Sequence, residues 1–244
     1  MRIEFNNGNV FEVGDLYRLR DLSISDIEST NHFGIANGSM HAHYYGTDYE
    51  QRTITIEFET RFSGTDEFEE KQNVIYKTFN AGVGTLTYND LEMDIVKDGN
   101  IEIERVYNSK IVVSVSFVNV GLPYFKSRNK VVLNRTNGAF QNVDNSSDVT
   151  LDPRYTDIEL KFTLSADVSF FQITDSLGNV LRINRAMETG DSIVIRGGTT
   201  YLNGEDILED TTMEIIQLPP GTSRLDILGT TQYIFEMSYT ALKY

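Results

Sequence analysis

The chain has no cysteine and no tryptophan, only three histidines and four prolines, and just 21 basic residues against 36 acidic ones. Without cysteine there is no disulfide framework, no thiolate metal site and no Cys nucleophile, which fits a protein made in a reducing cytosol. The shortage of Lys and Arg leaves a formal charge of −15. Such a charge repels phosphate backbones and supplies no basic stripe for a nucleic acid to follow, so specific DNA or RNA binding is disfavoured. No hydrophobic run approaches the length needed to span a bilayer, and the start, Met1-Arg2-Ile3-Glu4-Phe5-Asn6-Asn7-Gly8, has no apolar signal core. Neither secretion nor membrane insertion has a visible route.

What is present is enough apolar material for a core, 40% of 244 residues, distributed with a period of two. The length favours two small β-domains over one large one. In a strand, successive side chains point to opposite faces, so a half-buried strand alternates. Thr53 to Phe62 does so: Ile54, Ile56, Phe58 and Phe62 fall on one side, Thr53, Thr55, Glu57, Glu59 and Arg61 on the other. Leu91, Met93 and Ile95 before Asp98-Gly99, with Ile101 and Ile103 after it, predict a hairpin. Asn7-Gly8 predicts another turn, and Lys110 to Val120 a long strand ending at Gly121-Leu122-Pro123. One segment reads as a helix, about Asp66 to Phe79. Asp66 is placed to cap it with Glu69 completing a box, Phe68, Ile75 and Phe79 share a stripe with Val74 beside it, and Asn80-Ala81-Gly82 offers the stop.

Lys126-Ser127-Arg128-Asn129-Lys130, a basic stretch in an acidic chain, is the candidate linker. Beyond it, strands are predicted at 158–164, 168–174, 180–184, 192–196, 213–218, 224–228 and 232–239, with turns at Gly178-Asn179, Gly197-Gly198, Asn203-Gly204 and Pro219-Pro220-Gly221. The fold expected is mostly β. Residues 1–125 would form a β-sandwich or split-barrel domain with one packed helix, and residues 126–244 a galectin-like or jelly-roll β-sandwich.

Reactive chemistry is sparse. There is no Gly-x-Ser-x-Gly elbow, phosphate-cradling glycine loop or dinucleotide fingerprint. His41 and His43 would share a strand face and could pinch a metal with His32 or Asp48, but spacing fixes no third ligand, so a solvated or hydrogen-bonded pair is the preferred reading. Asp144, Ser146 and Asp148 alternate oxygens as a calcium loop does, yet the glycine and distal glutamate of such a loop are missing; a polar loop explains them. Glu205, Asp206, Glu209 and Asp210 read as a solvated face. Paired carboxylates for glycoside hydrolysis could meet in space, but nothing singles out a pair. No catalytic, cofactor-binding or metal residue is assigned, and no cofactor is expected. Sugar platforms favour exposed Trp, absent here, although 13 Tyr and 14 Phe remain. Tyr44-Tyr45 and Tyr49 suit either an interface or a core.

The run Gly190-Asp191-Ser192-Ile193-Val194-Ile195, then Tyr201-Leu202-Asn203-Gly204, Leu218-Pro219-Pro220-Gly221-Thr222-Ser223-Arg224-Leu225 and the closing strand Tyr233-Ile234-Phe235-Glu236-Met237-Ser238-Tyr239 resembles the C-terminal sandwich of the siphophage distal tail protein family. The strand around 52–62, the single helix, Gly84-Thr85-Leu86-Thr87-Tyr88 and the Val-rich strand resemble that family's ring-forming N-terminal domain. Arg196-Gly197-Gly198, Ser223 and the ending Thr240-Ala241-Leu242-Lys243-Tyr244 depart from its pattern. The resemblance implies a non-enzymatic virion protein of the tail tip, made in the bacterial host cytoplasm. It implies a homo-oligomer, expected to be a hexameric ring, joining the tail tube protein to a tail-associated hub or lysin protein and anchoring receptor-binding or baseplate proteins. No membrane partner is implied, and DNA would pass through the ring without specific binding. A carbohydrate-binding β-sandwich module is the alternative, and a hydrolase the third class.

Overall fold

The computed structural model describes residues 1–34 and 43–244, with side chains described outside 32–47 and 108. The chain divides into two compact units, residues 1–125 together with Tyr244, and residues 126–243. Both consist mostly of antiparallel strands.

In the first unit the elements are β1 (Arg2–Phe5), β2 (Val10–Glu12), β3 (Arg18–Ile24), β4 (Ser29–Gly34), β5 (His43–Tyr49), β6 (Thr53–Arg61), α1 (Thr65–Phe79), β7 (Val83–Tyr88), β8 (Leu91–Val106) and β9 (Lys110–Asn119). β4 and β5 pair with each other. The remaining strands run β2-β1-β7-β8-β9-β6-β3. Phe11 on β2 and Phe58 on β6 lie near opposite ends of that order, yet their rings are 4.6 Å apart. The sheet therefore curls onto itself, which is how a one-faced apolar sheet hides its inner surface. Helix α1 closes the opening. Its Phe79 ring sits 4.9 Å from Phe11, 5.6 Å from Phe58, 6.0 Å from Phe5 and 6.1 Å from Phe117. β6 supplies the alternation read from the sequence, with Ile54, Ile56, Phe58 and Thr60 buried between outward-facing neighbours.

Two local expectations are corrected. Asp98-Gly99 makes no hairpin: β8 runs through it as one strand, with a register shift against β9 between Asp98 and Ile101. A glycine at positive φ (73° at Gly99) serves a bulge as well as a turn. The hairpin instead joins β7 to β8 through Asn89-Asp90, whose φ values of 50° and 63° are those of a tight turn matched to strand twist. Asp66 does not cap α1 either. The helix begins at Thr65, and the Glu67 carboxylate reaches back to accept from the Ser63 backbone N–H at 2.7 Å and its hydroxyl at 2.5 Å. The N-cap position is Gly64, which makes no side-chain cap, so the capping box expected from the sequence is replaced by this single carboxylate reaching back to the residue before the cap.

The second unit holds β10 (Phe125–Thr136), β11 (Phe140–Asn145), β12 (Ile158–Leu164), β13 (Phe171–Thr174), β14 (Val180–Ile183), β15 (Ser192–Arg196), β16 (Thr199–Leu202), β17 (Glu205–Asp206), β18 (Gly221–Leu228) and β19 (Tyr233–Lys243). One sheet runs β17-β16-β15-β12-β19-β10 and the other β11-β18-β13-β14. Their inner faces meet around Phe162, whose ring is 4.8 Å from Phe235, 5.2 Å from Phe171 and 5.7 Å from Tyr233. The basic stretch 126–130, expected as a linker, is extended within β10. Residues 213–218, expected as a strand, carry only an isolated bridge at Leu218. There Met213 takes φ 58°, while Ile216 and Leu218 are fully buried, so the apolar pattern belongs to an irregular core segment. Its backbone is satisfied instead by Asp175, which accepts from the Gln217 N–H at 2.8 Å, and by Leu151, paired with Leu218 in both directions.

Two buried tyrosines of β19 tie the sheets together. The Tyr239 hydroxyl donates to the Asp144 carbonyl at 2.8 Å and accepts from the Ser146 N–H at 2.9 Å. The Tyr233 hydroxyl donates to the Gly138 carbonyl at 2.9 Å and accepts from the Gln141 side chain at 3.0 Å. Tyr239→Phe should cost about 1–2 kcal/mol, because it strands a backbone donor and acceptor, whereas Phe79→Ala should cost about 3–5 kcal/mol through the cavity it opens. Urea denaturation with both variants checks the ranking; equal midpoints would contradict it. Gly229→Ala should be worse tolerated than Gly14→Ala, where an added Cβ meets nothing within 4 Å, since a Cβ at position 229 would meet the Phe170 carbonyl oxygen at 2.2 Å with φ at 103°.

Candidate interaction surfaces

Among the described residues, those singled out from the sequence do not converge on a reactive centre. His41 lies outside the described residues, as do the side chains of His32, His43, Tyr44 and Tyr45. Asp144 accepts from the Thr222 hydroxyl at 2.6 Å, Asp148 pairs with Lys243 at 2.9 Å, and the Ser146 hydroxyl lies 3.1 Å from that of Tyr239. These three oxygen carriers face three different partners. Arg185 sits 3.5 Å from Asp210 and 3.8 Å from Glu205. Among the described residues no three His, Asp or Glu side chains are grouped as a metal would require.

The structure brings together a cluster that the sequence did not mark. Arg52, 7% exposed, sits where β6 begins. Its Nε donates to the Ser25 carbonyl at 2.8 Å and its Nη1 to the Pro123 carbonyl at 3.1 Å, while its backbone N–H donates to Asn119 Oδ1 at 2.6 Å. Asn119, also buried, donates to the Gly121 carbonyl at 2.8 Å. Burial pushes the Arg52 guanidinium below its usual range, and the nearby charge of Asp26 acts the other way. Beside it, burial raises the Tyr124 hydroxyl, aided by a hydrogen bond with Tyr49, and the two rings lie 5.7 Å apart. Tyr49 thus joins a cluster of the first unit. The arrangement pins three chain segments by backbone carbonyls, a positioning task with no reacting group.

A second feature is a cleft of about 310 Å³ lined by Asp15, Leu16, Arg18, Glu59, Thr60, Arg61, Lys71 and Lys110. It lies where β3 begins, since the β3–β6 ladder closes at Arg18 opposite Glu59 and β6 continues to Arg61. Glu59 is held by Lys110 at 2.5 Å and approached by Arg20 at 3.7 Å. The hydrogen bond from Lys110 keeps its carboxyl below the usual range, with the charges of Lys110, Arg18 and Arg20 acting in the same direction. Lys71 donates to the Arg61 carbonyl at 2.5 Å and pairs with Glu67 at 3.2 Å. No spacing in the sequence links Arg18, Arg61, Lys71 and Lys110; only the fold does.

No family model matches the chain, and no curated protein matches it significantly in sequence. Among solved structures, the Dit protein (gp 19.1) of phage SPP1, described as a paradigm of the hub adsorption apparatus in phages infecting Gram-positive bacteria, superposes with a TM-score of 0.64 at 11% identity. The match covers 98% of this chain and 99% of that one. The chain has the fold of the SPP1 Dit protein. Both units have counterparts, because almost nothing of either chain is left over. Structures of the phage P2 baseplate in its activated conformation, with Ca and with Sr, also align at 12% identity, covering 98% of this chain and 97% of the other, but at a TM-score of 0.39 they add nothing to that assignment.

Arg52→Met should cost about 1–3 kcal/mol, because it keeps the bulk while leaving the Ser25 and Pro123 carbonyls without donors. Thermal melting of the full chain checks this, and an unchanged midpoint would show that water replaces the guanidinium at no cost.

Proposed function

We propose that this chain is a structural subunit of a phage tail tip, a distal tail protein with no catalytic role. The observation that carries the reading is the end-to-end correspondence of fold with the SPP1 Dit protein. The sequence pattern from Gly190 onward supports it independently. In this reading residues 1–125 close a hexameric ring that joins the tail tube to a hub or lysin protein. Residues 126–244 face outward and hold receptor-binding or baseplate proteins.

Function then follows from shape and charge. Six copies at −15 each make an acidic ring, and a lumen sharing that sign would let DNA slide without the Lys and Arg neutralisation that makes phosphates stick. Ring closure needs head-to-tail contacts between unlike surfaces. β3, an outer strand of its sheet, carries a register break between Leu19 and Asp21 and bears Arg18, Arg20 and Asp21, features that discourage endless edge-to-edge pairing. The contact between copies is therefore expected to use side chains in place of a continuous ladder.

Light scattering and negative-stain images of the purified full chain should give a mass several times that of one chain and closed rings. A monomer at every concentration, together with absence of the protein from purified virions, would overturn the proposal. A monomer that binds a glycan would favour the carbohydrate-binding alternative.

A further inference from the structure

We infer that residues 211–214 are a strap that closes the outer edge of β14 against pairing with β14 of a second copy of this chain. The inference does not rest on the assembly proposed above. β14 ends the four-stranded sheet β11-β18-β13-β14. The backbone N–H and C=O groups of Val180 and Arg182 point away from β13, and a row of such groups at a sheet's border is a template for another strand. The segment Val180-Leu181-Arg182-Ile183 suits that use, since three of its four side chains are aliphatic and it holds no Pro or Gly.

All four outward groups are taken. The Thr212 hydroxyl accepts from the Arg182 N–H at 3.0 Å and donates to the Val180 carbonyl at 2.7 Å. The Glu214 carboxylate accepts from the Val180 N–H, and the Thr212 N–H donates to the Arg182 carbonyl at 3.0 Å. Side chains thus make three of the four bonds. The distinction matters, because a fifth strand would satisfy β14 equally well and then present its own outward N–H and C=O groups. A hydroxyl and a carboxylate end the sheet without creating a new edge.

The backbone shows how the strap avoids becoming that strand. Thr211 bridges Ile183 as a strand residue would. Met213 then takes φ 58°, and its N–H turns back to the Thr211 hydroxyl at 3.0 Å. Thr212, Met213 and Glu214 are all exposed, Met213 at 59%, so little apolar burial holds them in place and their bonds to β14 do most of that work.

Register decides which strand the strap excludes. The four outward groups can all be matched by the same four of a two-fold-related β14 in one register, with Val180 facing Arg182, Leu181 facing Leu181 and Arg182 facing Val180. That register sets the two Leu181 side chains side by side and keeps the two Arg182 guanidinium groups from lying directly opposite each other. The edge is therefore complementary to itself.

Two full-length variants test this: Thr212→Val with Glu214→Ala, which removes the hydroxyl and the carboxylate, and Thr212→Ser with Glu214→Gln, which keeps an oxygen at each place. Both should be compared with the parent at equal concentrations by light scattering and amide hydrogen exchange, so that the result holds whatever oligomer the parent forms. In the first variant the Val180 and Arg182 amides should exchange at least tenfold faster than in the parent when dilute. As concentration rises, its mass should climb above the parent's and the same two amides should become protected again. The second variant should follow the parent. Amides that stay protected without the strap's side chains would overturn the inference. So would open amides in a variant whose mass tracks the parent's, or extra association that leaves those amides open. If far-UV dichroism shows the first variant unfolded, Glu214→Ala alone frees the Val180 N–H and should give the same signature at that one amide.

Discussion

Each unit of this protein depends on one constraint: a sheet whose side chains alternate has a single apolar face, and that face has to be covered. The two units meet it differently. In the first, the sheet curls until Phe11 and Phe58 touch, and Phe79 of α1 fills the remaining gap. In the second, a four-stranded sheet covers a six-stranded one, and the hydroxyls of Tyr233 and Tyr239 satisfy backbone groups at the covering edge. Aromatic side chains with a polar tip suit that position because the ring fills the core while the oxygen reaches its rim.

Strands with clean alternation were legible in the sequence. Ile158 to Leu164 and Ser192 to Arg196 have the bounds their patterns predict, the strand expected from Thr53 to Phe62 ends one residue earlier at Arg61, and the helix is displaced by a single residue at its start. What failed did so for identifiable reasons. Gly99 can serve a bulge or a turn, and only the pairing of β8 with both β7 and β9 decides between them. The apolar run at 213–218 is buried without a ladder because Asp175 and Leu151 supply its backbone partners, and both lie far away in sequence. The charged stretch 126–130 looked like a linker, yet it lies in a strand whose residues after Phe125 are all half-buried or exposed, so no apolar alternation marks it in the sequence.

The surfaces were less readable than the fold. Arg52 sits in the sequence as an ordinary residue before a strand, and its burial among the carbonyls of Ser25 and Pro123 depends on segments 27 and 71 positions away. The cleft is similar: Arg18, Arg61, Lys71 and Lys110 are brought together by a strand end, a strand overhang, a helix and a neighbouring strand. Composition gave a uniform acidic sign, which concealed a local concentration of the opposite one.

The pairing of β12 with β19 has a mechanical consequence. Seven residue pairs, from Ile158 with Tyr239 to Leu164 with Tyr233, lie side by side along their length. A pull directed along these strands loads all of them in shear at once, whereas a pull across them would unzip one pair after another. The tyrosine at each end of that ladder is also anchored to the opposite layer, so fraying from either terminus has to break a cross-layer bond first. The second unit is therefore expected to be stiff along β19 and to yield by tearing at its flanks.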